Sequence, residues 1–311
     1  MNGVNEGEAP VIELVNLSKT YGRSGKGVPA VRDISLSVGA GEVYGFLGPN
    51  GAGKSTTIRM LLGLISPSAG EARLFGEDLS RNPHVLKRVG SLVDGGAFYP
   101  FLSGRRNLEV LARTHGGGAE RIDALLDQVG LAGDGKRKVK GYSTGMRQRL
   151  GVAAALLGDP DVVILDEPVN GLDAAGIQEM RALIHGLAAD QGKTVFLSSH
   201  LLHEVQQVCD RIAIISKGEV VREATVADLL RQDDGLRIEA APLDVAEAAL
   251  SARWAVERSG DALIVRATRA EAPEVARRLI GAGAELFQLV PKQRNLEEVF
   301  LSMTQEEAPD A

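Results

Sequence analysis

The run Gly48-Pro49-Asn50-Gly51-Ala52-Gly53-Lys54-Ser55-Thr56 constrains the fold of this 311-residue chain more than any other stretch. It follows an apolar segment, residues 43–47, that reads as a short buried strand. It opens a segment in which Ile58, Leu61, Leu62 and Ile65 recur at helical spacing until Pro67 and Gly70 end the run. A glycine-rich turn between strand and helix lets the backbone curl so that successive N–H groups point inward, and the helix N-terminus adds partial positive charge. Such a loop cradles phosphates: Lys54 reaches the outer ones and Ser55 can ligate Mg²⁺. The pattern implies an α/β fold around a nucleoside triphosphate, with Mg²⁺ beside it.

A second motif completes that expectation. In Val162-Val163-Ile164-Leu165-Asp166-Glu167-Pro168, four apolar residues form a strand buried on both faces that presents two carboxylates at its C-terminal end. In an open parallel sheet ligands sit at that edge. Asp166 is placed to hold Mg²⁺, and Glu167 to orient and deprotonate the water that attacks the γ-phosphorus. Taken alone, two carboxylates before a proline also fit a helix cap.

Composition narrows the function classes. The length predicts a main domain plus a smaller one. A formal net charge of −6 argues against a broad nucleic-acid footprint, and no nucleic acid is expected as a partner. One cysteine, Cys209, excludes an internal disulfide or a Cys-rich metal site; it reads as a small buried residue on a helix. No window approaches 18 consecutive apolar residues and residues 1–10 are polar and acidic, so neither a spanning helix nor a secretion signal is expected.

Between the two motifs lies Tyr142-Ser143-Thr144-Gly145-Met146, before a helix that begins near Gly145, carries Leu150, Ala153, Ala154 and Leu157 on one face and stops at Gly158-Asp159-Pro160. Ser143 and the Gly145 amide then sit at a helix N-terminus, a natural anion site. An Asn170-Gly171-Leu172-Asp173 turn follows the carboxylates, and His200 follows an apolar strand, residues 194–198. With these in order the chain resembles the ATP-binding subunits of ABC transporters over about residues 11–216. The resemblance implies an ABC-type ATPase core with a helical signature subdomain. It gives Tyr21 the role of stacking on adenine, Ser143, Thr144, Gly145 and Met146 that of facing the γ-phosphate bound by the opposite subunit, Asp173 that of the D-loop residue, and His200 that of contacting the γ-phosphate and helping to position the water. It also implies a homodimer, a separate integral-membrane permease, and a place on the cytoplasmic face of the membrane.

The chain departs from the family in two places. Asp94 stands where many members carry a glutamine that touches Mg²⁺ and, as a shorter, charged carboxylate, can still ligate the metal with Ser55 and Asp166; Met146 replaces the commoner glutamine of the signature. Both departures, with residues 99–108, resemble exporters of drugs, bacteriocins and antibiotic peptides. A soluble ABC-type ATPase acting without a permease is the alternative reading.

The ATP-binding domain is expected over residues 1–230. Residues 235–305 form a second domain: the pattern strand 236–240, helix 243–252, strands 254–257 and 262–267, helix 273–282, strand 285–290 predicts a ferredoxin-like β-α-β-β-α-β module. A last helix is expected from Asn295, with Leu296, Val299, Phe300 and Met303 as its apolar stripe. Trp254 reads as core.

Overall fold

Four parallel strands buried at nearly every position make the centre of the larger of two units. The computed structural model describes residues 9–22, 27–93, 95–231 and 235–292, which divide into one unit reaching Val226 and a second beginning at Ala227. In the first, β1 (Ile12–Tyr21) pairs with β2 (Val28–Val38). The phosphate-loop strand β3 (Val43–Leu47) leads into α1 (Lys54–Leu61). Strands β4 (Ala69–Leu74) and β5 (Glu77–Asp78) complete an antiparallel sheet of order β2-β1-β4-β5.

Strand β6 (Val89–Leu92) enters a second sheet. The helices α2 (Gly104–His115), α3 (Ile122–Gln128) and α4 (Thr144–Ala155) are inserted before β7 (Val162–Asp166). Then follow α5 (Ala174–Ala189), β8 (Thr194–Ser199), α6 (Leu202–Gln206), β9 (Arg211–Ser216) and β10 (Glu219–Thr225). The sheet order is β10-β9-β3-β8-β7-β6, parallel except for β10 at the edge.

Between the two sheets lies one core: Ile12, Leu14 and Ile34 from the antiparallel sheet meet Tyr44, Phe46, Ile164 and Phe196 from the parallel one, with Ile58 and Leu61 of α1. Side chains alternate along β3, so Tyr44 and Phe46 both reach Phe196, with centroids 5.7 and 5.5 Å away. Gly45 faces the other way; a Cβ there would stand 2.9 Å from Cys209 Sγ and Val205 Cγ1. Each fully buried aliphatic or aromatic side chain stabilises this core by about 1.5–3 kcal/mol. The Tyr44 hydroxyl donates to Glu223 Oε1 at 2.8 Å, and burial together with that carboxylate pushes the phenol pKa up.

Local chemistry overrides two helix expectations. Helix α1 stops at Leu61, before Pro67, because Gly63 adopts φ 65°. There Gly63 N–H donates to Met60 O and Leu64 N–H to Arg59 O, which closes the helix. Helix α4 ends at Ala155, and it is buried on more than one face: Gln148, Gly151, Val152 and Ala155 are covered, while Ala154 is partly exposed. It lies against β6 with little between them. A Cβ on Gly151 would come within 2.4 Å of Leu92 Cδ1, and one on Gly90 within 2.1 Å of Ala155 O. Cys209 is buried, in the turn after α6 and not on a helix; burial pushes its thiol pKa up.

The division between units falls in the first turn of α7 (Val226–Arg231). Beyond it come β11 (Leu236–Ala241), α8 (Leu243–Ser251), β12 (Val256–Ser259), β13 (Ala262–Val265), α9 (Ala272–Gly281) and β14 (Glu285–Pro291). They form an antiparallel sheet of order β12-β13-β11-β14, the ferredoxin-like arrangement. The core of this unit is Leu236, Ile238, Leu250, Trp254, Leu263, Val265, Val275 and Leu279, among others. Trp254 donates its indole N–H to Glu271 Oε1 at 3.0 Å. The helix expected from Asn295 lies outside the described residues. Among the described residues no helix is long and apolar enough to cross a membrane.

Candidate active site

The C-terminal ends of β3, β7 and β8 lie side by side, so their loops meet. Leu47 pairs with Ser199, and Asp166 with Ser198. From β3 the chain enters the glycine loop, where Gly51 and Gly53 hold φ 83° and 108°, values that a side chain would oppose. Gly48 and Gly53 are required for a second reason: a Cβ would stand 2.4 Å from Ile215 O at the first and 2.6 Å from Ala30 O at the second. Gly48 N–H is tied to Ser199 O at 3.3 Å. Pro49, Asn50 and Gly51 face solvent, Ala52 is buried, and Ser55 and Thr56 are half-buried in the first turn of α1. That turn directs unpaired N–H groups along the helix axis.

Lys54 is buried, and its ammonium donates to Gly48 O at 2.7 Å and Pro49 O at 3.3 Å. It also pairs with Glu167 Oε1 at 3.1 Å. The other Glu167 oxygen, Oε2, lies 2.8 Å from His200 Nδ1. An ionised carboxylate only accepts, so Nδ1 carries the proton. Glu167 thus joins residues from three loops, and it does so from a left-handed backbone, φ 51°, uncommon for a residue with a side chain. Asp166 is buried one residue earlier. Its Oδ1 accepts from the Ser198 hydroxyl at 2.6 Å, and the same hydroxyl accepts from Glu167 N–H at 3.0 Å. Chemically this corner offers a cation, inward amides, hard oxygen donors and a carboxylate able to take a proton.

A second group forms around α4. Ser143 caps the helix, its hydroxyl accepting from Met146 N–H at 3.2 Å. Thr144 Oγ1 accepts from Arg147, and Met146 Sδ lies 4.0 Å from the Arg137 guanidinium. The Asn170–Asp173 turn lies beside them: a Cβ on Gly145 would meet Leu172 Cδ2 at 3.5 Å, and one on Gly171 would meet Thr144 Cγ2 at 3.5 Å. Asp173 caps α5 through Gly176 N–H at 3.0 Å. Tyr21 ends β1 as an exposed ring with the Lys19 ammonium 5.5 Å from its centroid. Asp94 lies outside the described residues.

Sequence reasoning missed Ser198 and Ser199, although a signal was there. Two consecutive serines end an otherwise apolar central strand, and a buried hydroxyl in such a place needs partners.

Comparison with known proteins gives this corner a lineage. The sequence pattern of the family described as ABC transporter matches residues 31–170. An uncharacterized ABC transporter ATP-binding protein of Bacillus subtilis (strain 168), YhcH, is 38% identical over 299 residues, covering 95% of this chain and 96% of that protein. The bacitracin transport ATP-binding protein BcrA of Bacillus licheniformis is 46% identical over 215 residues, 68% of this chain and 69% of its own. A dimeric structure of the ATP-binding cassette MJ0796, in a post-hydrolysis state bound to ADP and Pi, superposes with a TM-score of 0.63 at 25% identity, covering 69% of this chain and 98% of that one. Similarity to YhcH over nearly the whole length of both chains, together with a cassette fold whose structural relative holds ADP and Pi, makes this chain an ATP-hydrolysing member of the ABC transporter ATP-binding proteins.

Proposed function

We propose that two copies of this chain bind ATP with Mg²⁺ between them, hydrolyse it, and drive a separate membrane permease that exports a drug-like or antibiotic compound. The observation that carries the catalytic part is the meeting of Lys54, Glu167 and His200 within 3.1 Å contacts at the mouth of the glycine loop. The amides of residues 48–56 and the Lys54 ammonium hold the phosphates. Incoming phosphate oxygens draw Lys54 away from Glu167, which frees that carboxylate to accept a proton from the attacking water. His200 holds Glu167 from the far side and contacts the γ-phosphate. Ser55 hydroxyl and Asp166 carboxylate are hard oxygen donors, a set that suits Mg²⁺. When bound, Mg²⁺ would offset the charge on the phosphates. Tyr21 stacks on adenine, and Ser143 to Met146 of the opposite copy close the γ-phosphate side with Asp173 nearby.

Support for the dimer comes from MJ0796, described as a dimer, and support for the cargo class from BcrA, described as a bacitracin transport protein. With a permease as its membrane partner, the chain sits peripherally on the cytoplasmic face. Residues 1–230 act as the ATPase domain and residues 235–305 as an accessory domain that supports dimer contacts or regulation.

Glu167→Gln tests the reading. The amide keeps the shape and loses the base, so turnover falls by roughly 10²- to 10⁴-fold while ATP binding persists and light scattering detects an ATP-dependent dimer. Hydrolysis at the parental rate would remove Glu167 from the mechanism. For the permease, co-expression with a candidate membrane partner should bring the chain into the membrane fraction; a chain that stays free of every such partner favours the permease-independent ATPase.

A further inference from the structure

We infer that Ser198 is a positioning residue for hydrolysis, the single hydroxyl that fixes the Asp166 carboxylate and the Glu167 backbone relative to each other; the inference rests on the roles proposed above for those two residues. Ser198 lies on β8 directly across from Asp166 on β7, so both side chains project from the same face of the parallel pair. It is wholly buried, preceded on β8 by Val195, Phe196 and Leu197 and flanked by the apolar run of residues 162–165 on β7, where a hydroxyl is tolerated only if its bonding capacity is used.

The bonding directions follow from the chemistry of the groups. An ionised carboxylate only accepts, so the one Ser198 proton points to Asp166 Oδ1, 2.6 Å away. The oxygen lone pairs are then left for a donor, and the Glu167 N–H takes that place at 3.0 Å. Donating and accepting through one hydroxyl strengthens both bonds. The second bond acts where the backbone most needs it. Glu167 holds φ 51°, and this turn of the chain aims its carboxylate at Lys54 and His200. An extended backbone would send the side chain elsewhere. The neighbouring Ser199, facing the opposite side of the strand, ties the glycine loop through its carbonyl to Gly48 N–H. The two serines therefore divide the task, Ser199 holding the phosphate loop and Ser198 holding the carboxylates.

A residue that acts through Glu167 should alter the chemical step more than binding. Ser198→Ala is expected to fold, to keep its KM for ATP within about twofold, and to lose about tenfold in kcat. Ser198→Thr, which restores the hydroxyl, should recover most of that loss. Where the alanine chain does not fold, Ser198→Cys, a poor donor, carries the same comparison. Two results overturn the inference: a parental kcat in folded Ser198→Ala or Ser198→Cys, or a Ser198→Thr protein that folds and is as slow as the alanine variant. Glu167→Gln measured alongside separates the two levels. If it arrests turnover and Ser198→Ala does not slow it, only the inference fails; if Glu167→Gln itself hydrolyses ATP normally, the proposed site fails first.

Discussion

The six-stranded sheet of the first unit and the four-stranded sheet of the second differ in what they hide. Strands β3, β7 and β8 are buried at every position, whereas β11 alternates buried and half-buried residues along its length. That is the difference between a parallel sheet covered on both faces and an antiparallel one with a wet face. The contents differ as well. Buried polar side chains, among them Lys54, Asn107, Asp166, Ser198 and Ser199, all belong to the first unit, and among the described residues the second unit has none. Its charges lie outside, as in the Arg258 pairs with Asp244 and Glu247. The first unit buries Asp166, Ser198 and Ser199 at the C-terminal ends of its parallel strands, where their hydrogen bonds tie neighbouring loops together; the second is held by apolar packing. Chemistry and packing are thus separable in this chain.

Three experiments can break or sharpen that separation. The largest effect is expected in the first unit, where Lys54→Ala removes the cation that meets the outer phosphates. Hydrolysis should fall by roughly 10²-fold or more with thermal unfolding little changed. A folded Lys54→Ala protein with normal ATPase activity would refute the phosphate-loop role. In the second unit Leu279→Ala empties a fully buried position and should cost about 2–5 kcal/mol of that unit's stability. Denaturant unfolding measures the cost, and the ATPase rate of the folded protein should stay within about twofold; a collapse of activity would mean that the units are not separable. The smallest effect concerns Glu271, whose carboxyl pKa is lowered by the Thr268 N–H, the Trp254 indole and the Thr268 hydroxyl. A depressed carboxyl stabilises the fold above its ordinary value, about 4.3, and the gain is lost as pH falls through the lower folded value. Trp254 is the chain's one tryptophan, so its fluorescence reports the second unit alone. Unfolding followed that way should become easier as pH falls below the ordinary carboxyl value and through the lower folded one, and less steeply in Glu271→Gln; identical profiles would exclude the Glu271 contribution.

Much of the parallel sheet was legible because its signals are local. Residues 43–47 and 162–165 are short apolar runs, and each ends in a motif whose chemistry needs a strand end. The module beyond residue 235 was legible from alternation and turns, with each element expected between residues 236 and 290 found within two residues or so at its ends. The misreadings have one cause in common, that apolar spacing does not report close backbone contact. Helix α1 ends where Gly63 can turn left-handed, although Ile65 continues the spacing. Helix α4 has no single apolar face because it is enclosed, with Gly151 set against Leu92. Cys209 reads as helical by composition, yet it sits in a turn beneath Gly45. Ser198 was passed over because its partner Asp166 is 32 residues away in sequence, a pairing fixed only by strand register. The contact between His200 and Glu167 has the same origin.

The approach of α4 to β6 has a mechanical consequence. At Gly90 the strand backbone meets the helix backbone at Ala155, and at Gly151 only the Leu92 side chain stands between the two, so the helix and the strand have little compliance between them. They must tilt as one lever. Helix α4 spans 12 residues, about 18 Å along its axis at 1.5 Å per residue, with Ser143 at one end and the Gly90 contact near the other. A rotation of a few degrees at the strand would therefore sweep the Ser143 cap through on the order of 1 Å. A larger side chain at residue 151 would add slack or tilt at the fulcrum, and its effect would be felt at the far tip of the helix.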